Sequence, residues 1–330
     1  MGGFYLYTRA MEPNVVDYAH GISVVDAVYD RALQTAIHFV VERGRAAIVD
    51  TGTSRAAPRV LAALAAKGVA PEQVDYVILT HIHLDHAGGA GQLMALCSNA
   101  LLTVHPRGAR HMADPSRLVE GTVAIYGVEA TQRIYGEILP VARDRIVETP
   151  EGAAISLAGR ELSFIDAPGH ARHHVVVRDS ASGHLFAGDN FGLSYRELDR
   201  DGRQFVFPTC SPVQFDPRAL HRTVDRMLGL APRAIYVAHY GQVSDVPRLG
   251  ADMHRLIDAL VAVAEEARQA CGGPGPGRVG RMQAGITALL LAERERQGWR
   301  LSGEKVLEVF ALDIELNAQG LEVWLESGRC

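Results

Sequence analysis

"LTHIHLDHAGGAG", residues 79–91, places His81, His83, Asp85 and His86 within six positions and continues the apolar run "VDYVIL" (74–79). The apolar run predicts a short buried strand. Two apart at its end, His81 and His83 point to the same side of an extended backbone. Asp85 and His86 come where the chain turns into the next helix, and Gly88, Gly89 and Gly91 permit a close turn there. Neutral imidazoles and a carboxylate suit zinc, iron or manganese, whereas calcium requires oxygen ligands. A lone His-x-His reads as a surface turn; four ligand-type side chains in six positions read as metal chemistry.

Three further candidates each stand at the end of a predicted strand. His170 follows "SFIDAPG", Asp189 follows "HLFAG" and His239 follows "AIYVA". Singly, each reads as a hydrogen-bonded structural residue, because an unpaired polar side chain is costly to bury. Taken with the first cluster, a shared metal site is the simpler account. His105, His111, His184, His221 and His254 have no ligand context and are read as ordinary residues.

Composition excludes several function classes. Of the 330 residues, 48% are apolar, enough for a sizeable core and against global disorder. The net charge is −5 and the 33 Lys and Arg are dispersed, so neither nucleic acid nor a membrane surface is the expected partner. Cys97, Cys210, Cys271 and Cys330 are far apart in sequence, which implies no zinc ribbon, redox pair or disulfide framework. The opening "MGGFYLYTRAMEPNVVDYAH" has no signal-peptide pattern and does not match a myristoylation site. A soluble, cytoplasmic protein is expected.

Strands are predicted in "GISVVDAVYD" and in "TAIHFVVERGRAAIVDTG", the latter folded as a hairpin about "ERGR". "SRAAPRVLAALAAKG" predicts a helix capped by Ser54 and stopped by Gly68. "LLTVHP" is a further strand, and residues 106–143 read as a helical excursion, either a cover for a site or a packing insertion. Strands return in "AAISLAGRELSFIDAPGH", "HHVVVRDSASGHLFAGDN" and "PRAIYVAHYG". Beyond residue 246 the chain reads as helices broken by "GGPGPG" (272–277), and "EKVLEVFALDIELNAQGLEVWLE" favours helix by length and composition. The expected division is 1–245 as catalytic domain and 246–330 as a helical extension serving as lid, substrate cap or homodimer contact.

The ordered set "THIHLDHAGG", "APGHARHH", "FAGDN" and "VAHYG" resembles the metallo-β-lactamase superfamily, and within it the glyoxalase II-like hydrolases, over residues 20–245. The resemblance implies an α/β fold, a four-layer αββα sandwich carrying its metals on loops at one sheet edge. Position by position, it implies that His81, His83 and His170 bind one divalent ion and that Asp85, His86 and His239 bind a second. Asp189 would bridge them. Zinc is the first expectation, with iron or manganese as alternatives. Two ions about 3.5–4 Å apart can share a hydroxide that attacks a polarised carbonyl. The implied activity is hydrolysis of a small-molecule ester, thioester or lactone, with Asp85 also orienting the hydroxide or passing a proton. Asp50 in "AIVDTG" is the expected support behind a ligating histidine; its other reading is a turn aspartate before Gly52.

Departures narrow this reading. Aspartate at position 189 speaks against an antibiotic-hydrolysing relative, and His83 speaks against the flavodiiron branch. In "PGHARHH", Arg172 and His173 replace small residues usual in related hydrolases; they contact substrate or face solvent. Tyr195 is a candidate oxyanion donor or a packing residue. Two rival functions stay open: an iron-dependent enzyme resembling persulfide dioxygenases, and a non-catalytic member that keeps its metals to bind a ligand.

Overall fold

The computed structural model describes residues 14–210, 213–271 and 273–327. Residues 1–13 of the opening stretch read for targeting signals, Cys330 and the first glycine of "GGPGPG" lie outside the described residues. The chain packs as two compact units: 1–148 with 155–161, and 149–154 with 162–330.

The first unit is built on a seven-stranded sheet whose spatial order follows the sequence: β1 (Val16–Asp17), β2 (Ile22–Asp26), β3 (Ala36–Glu42), β4 (Arg45–Val49), β5 (Val74–Ile78), β6 (Leu101–Val104) and β7 (Ile146–Glu148). The β1–β4 pairings are antiparallel and the β4–β7 pairings parallel. The predicted hairpin at "ERGR" is present: Glu42 pairs with Arg45, and Arg43 and Gly44 both take positive φ, 48° and 75°. Such a two-residue turn matches the twist of its strands. Parallel strands need crossovers. These are α1 (Ala57–Ala66), then α2 (Leu84–Ala87) with α3 (Ala90–Leu96), then α4 (Pro106–Ala113), α5 (Ser116–Tyr126) and α6 (Val128–Tyr135). The helical excursion of 106–143 is therefore the β6–β7 crossover.

One cap differs from expectation. A 3₁₀ turn over Ser54–Ala56 leads into α1, which has no side-chain cap. The Ser54 hydroxyl instead donates to the carbonyl of Tyr135 at 2.7 Å, tying the start of this crossover to the end of α6. The stop is as expected: Gly68 has φ +66°, and its N–H bonds back to Ala65 O.

In the second unit a six-stranded sheet runs β13-β12-β11-β10-β9-β8, comprising β8 (Ala154–Leu157), β9 (Arg160–Asp166), β10 (Val175–Asp179), β11 (Leu185–Leu193), β12 (Ile235–His239) and β13 (Gly241–Val243). β11 and β12 run parallel, and α7 (Pro217–Gly229) makes that crossover, opened by an Asp216 cap on the Ala219 N–H. The tail forms α8 (Val246–Cys271), α9 (Pro276–Gln297), α10 (Gly303–Val309) and α11 (Ala311–Glu326). The stretch 304–326 is thus two helices meeting at Phe310. One apolar cluster joins β11 and β12 (Phe191, Val237) to the tail (Met253, Leu290, Phe310, Trp324). Among the described residues no helix is long and apolar enough to cross a membrane.

Candidate metal centre

In the first unit, β4 and β5 run side by side and parallel, with Val49 opposite Ile78, so both release their chains at the same sheet edge. Asp50 follows β4 in a left-handed conformation, φ 60°. The His81 cluster follows β5. Asp50 is 2% exposed, and its carboxylate accepts from the Thr80 N–H at 2.8 Å and from the Thr80 hydroxyl. Since that hydroxyl spends its proton on Asp50, it accepts from His81 Nδ1 at 3.1 Å. Asp50 Oδ2 also lies 3.2 Å from His86 Nδ1. One carboxylate therefore fixes two imidazoles, one directly and one through Thr80, and leaves their Nε2 atoms as the ones that could ligate a metal.

The turn that carries these candidate ligands is clamped by the 51–53 loop. Thr51 donates through both N–H and hydroxyl to His86 O, each at 2.7 Å, and Gly89 N–H returns to Gly52 O. A Cβ on Gly89 would stand 2.8 Å from Thr53 O, so the turn closes this tightly only with glycine there. The result is convergence: His81 Nε2 is 2.9 Å from His83 Nδ1, the His81 and His86 ring centres are 4.1 Å apart, and His86 Nε2 is 3.2 Å from Asp85 Oδ2. His81 and His86 are fully buried, while Asp85 is half-buried.

In the second unit, His170 sits in the β9–β10 connection. Asn190 braces that connection by accepting from the His170 N–H at 3.1 Å and donating to Ala167 O at 2.7 Å. His170 Nδ1 meets the hydroxyl of Thr209 at 2.8 Å and its carbonyl at 3.2 Å, which again leaves Nε2 to converge on Asp189 Oδ2 at 3.3 Å. His239 Nε2 approaches Asp189 Oδ1 at 3.5 Å. Asp189 was expected at a strand end, yet β11 continues through it to Leu193. The strand is bulged instead: Gly188 pairs with Val237 and Leu193 with His239, so β11 spends extra residues around Asp189. Bulges of this kind re-aim a side chain. His174 accepts from the Asp189 N–H at 3.2 Å, consistent with a structural part.

Of the other candidates, Arg172 is exposed with its N–H on Gln214, and His173 is buried. Tyr195 is in the apolar cluster, 1% exposed, and its hydroxyl donates to Asp313 on α11. The supporting residues Thr80, Thr51, Asn190 and Thr209 were not singled out from sequence. Thr80 and Asn190 adjoin candidate ligands and could have been found; Thr209, 39 residues from its partner, carries no local signal.

The donor set fits a divalent ion of borderline softness. His81, His86 and His170 each offer an Nε2 whose opposite nitrogen is already held, and Asp85 and Asp189 add carboxylates that a cation would neutralise. A model of the metallo-beta-lactamase superfamily matches residues 30–239. Over 181 residues the chain is 26% identical to the metallo-beta-lactamase fold-containing protein ST1585 of Sulfurisphaera tokodaii, covering 52% of this chain and 63% of that one. Over 178 residues it is 33% identical to a hydroxyacylglutathione hydrolase of Xanthomonas axonopodis pv. citri, covering 54% of this chain and 51% of the enzyme. These matches span between half and two thirds of each relative's length. The solved structure of TTHA1429 from Thermus thermophilus, a metallo-beta-lactamase family protein, superposes with a TM-score of 0.63 at 21% identity over 93% of this chain and 94% of its own. Matched by its family model over most of its length and by solved structures in its fold, the chain belongs to the metallo-beta-lactamase superfamily.

Proposed function

We propose that this chain is a dinuclear metal-dependent hydrolase of a small-molecule ester, thioester or lactone. In this reading His81, His83 and His170 would hold one ion, Asp85, His86 and His239 would hold the other, and Asp189 would be a ligand available to both. The observation that carries it is the preparation of the imidazoles. Asp50, Thr80 and Thr209 occupy the Nδ1 side of three separate histidines, as ligation through Nε2 requires. The name of the hydroxyacylglutathione hydrolase relative supports the hydrolase class.

Two bound divalent ions would supply a nucleophilic water at neutral pH and polarise the substrate oxygen. The chain's own part is placement and proton handling. Asp85 lies in the first turn of α2 and is half-buried, so its carboxylate can take a proton from a water while its other oxygen stays near His86. Arg172, exposed two residues after His170, offers a cation to an acidic group on the substrate.

Metal analysis of purified protein should return close to two ions per chain, and a panel of thioesters, lactones and phosphodiesters should reveal turnover that a chelator abolishes. One iron per chain with oxygen consumption on glutathione persulfide would replace the hydrolase by the dioxygenase reading. Two ions with no turnover across the panel would favour a ligand-binding member.

A further inference from the structure

Asn317 lies in the middle of α11, 2% exposed, where a buried amide is costly unless both of its ends are satisfied. Both ends go to one short segment. Its Oδ1 accepts from the Cys210 N–H at 2.6 Å, and its Nδ2 donates to Pro208 O at 3.3 Å. The residue between is Thr209, whose carbonyl and hydroxyl both lie on His170 Nδ1.

The Thr209 carbonyl and the Cys210 N–H belong to a single planar peptide unit, in which a trans bond points them in opposite directions. Fixing the N–H toward Asn317 therefore fixes the carbonyl toward His170. We propose that Asn317 is a positioning residue for the metal centre, aiming the Thr209 acceptor that holds the His170 ring with Nε2 turned toward Asp189. This makes the C-terminal helix part of the site's support. The proposal rests on the reading of His170 as a metal ligand, and its test separates the two.

Cobalt(II) is titrated into the full-length protein stripped of metal, with affinity read by chelator competition and ligand geometry by the visible absorption of the bound cobalt. His170→Ala tests the ligand reading; unchanged stoichiometry and spectrum in that variant would remove the metal reading itself. Asn317→Ala should weaken the ion held by His170 by about 10-fold, the lower end for loss of an outer partner, and shift the cobalt bands. Asn317→Ser, a milder change that keeps a hydroxyl near the Cys210 N–H, should do the same to a smaller extent and serves if the alanine variant does not fold. Asp313→Ala is the control, because it cuts the Tyr195 tie of the same helix without touching residues 208–210. It should lower the melting temperature and leave cobalt affinity and spectrum alone. A folded Asn317 variant with wild-type affinity and bands overturns the proposal, and so does an equal loss of affinity in Asp313→Ala.

Discussion

Asp50 shows how much a single residue carries. Its carboxylate takes the Thr80 N–H and hydroxyl and His86 Nδ1, and through Thr80 it governs His81. Asp50→Ala should lower metal affinity by about 10- to 100-fold with all ligands still present; chelator competition showing wild-type affinity would refute this. A different single residue sets an acid limit. His38 in β3 is fully enclosed, and burial lowers its pKa from 6.5 to about 3. Between those values the unfolded chain binds a proton that the fold refuses. The contribution of neutral His38 is therefore complete above pH 6.5 and is lost as pH falls toward 3, by about 1.4 kcal/mol per unit at most. Urea titrations of wild type and His38→Phe should show stability curves that diverge with this slope; parallel curves would exclude it. The candidate ligands stand out in sequence because metal chemistry crowds rare residue types together. Thr209 and Asn317 do not, since each acts through a partner 39 and 107 residues away.

Elements were legible wherever periodicity and turn chemistry agreed. The "ERGR" hairpin, the strand before His81 and the helical crossover of 106–143 are all present, since each needs only local signals. The bulge that runs β11 through Asp189 was not visible, because it arises from pairing with β12 rather than from composition. The helix pair α7–α8 makes the same point with histidines that looked ordinary. His221 and His254 meet Nδ1 to Nδ1 at 2.6 Å with ring planes 4° from parallel. The ring centres are 4.9 Å apart, which that contact plus one ring radius at either end accounts for, so the rings meet edge to edge. Each Nε2 reaches a carboxylate on the opposite helix, His221 to Asp258 at 3.0 Å and His254 to Asp225 at 3.1 Å. Two facing nitrogens can bond only by sharing one proton. A double-mutant cycle with His221→Ala and His254→Ala, followed by urea unfolding, should give a coupling of about 0.5–3 kcal/mol. Additive effects would show that the contact contributes nothing.

At the scale of the molecule, the sequence divides near residue 246 in motif and composition, while the apolar cluster of the second unit runs across that point. Helical spacing announced the tail's helices but could not say which surface their apolar faces meet. They meet aromatic side chains that precede residue 246. Phe205 packs edge-on to Trp299 at 4.8 Å, Phe207 to Phe310 at 5.6 Å, and Phe215 to Trp324 at 6.4 Å. Each such aromatic carries a large apolar surface, and removing a buried one typically costs about 3–5 kcal/mol. That is a large share of the roughly 5–15 kcal/mol by which a folded domain is stable. A chain ending at residue 245 would lose all three contacts together, along with the Asp313 partner of Tyr195 and the Asn317 partner of residues 208–210. The expected result is loss of cooperative unfolding: near-ultraviolet circular dichroism collapses, a hydrophobic dye binds, and metal retention falls with the tertiary signal. A truncated chain that unfolds cooperatively at the full-length melting temperature and keeps its metals would show that the tail is an appendage rather than part of the core.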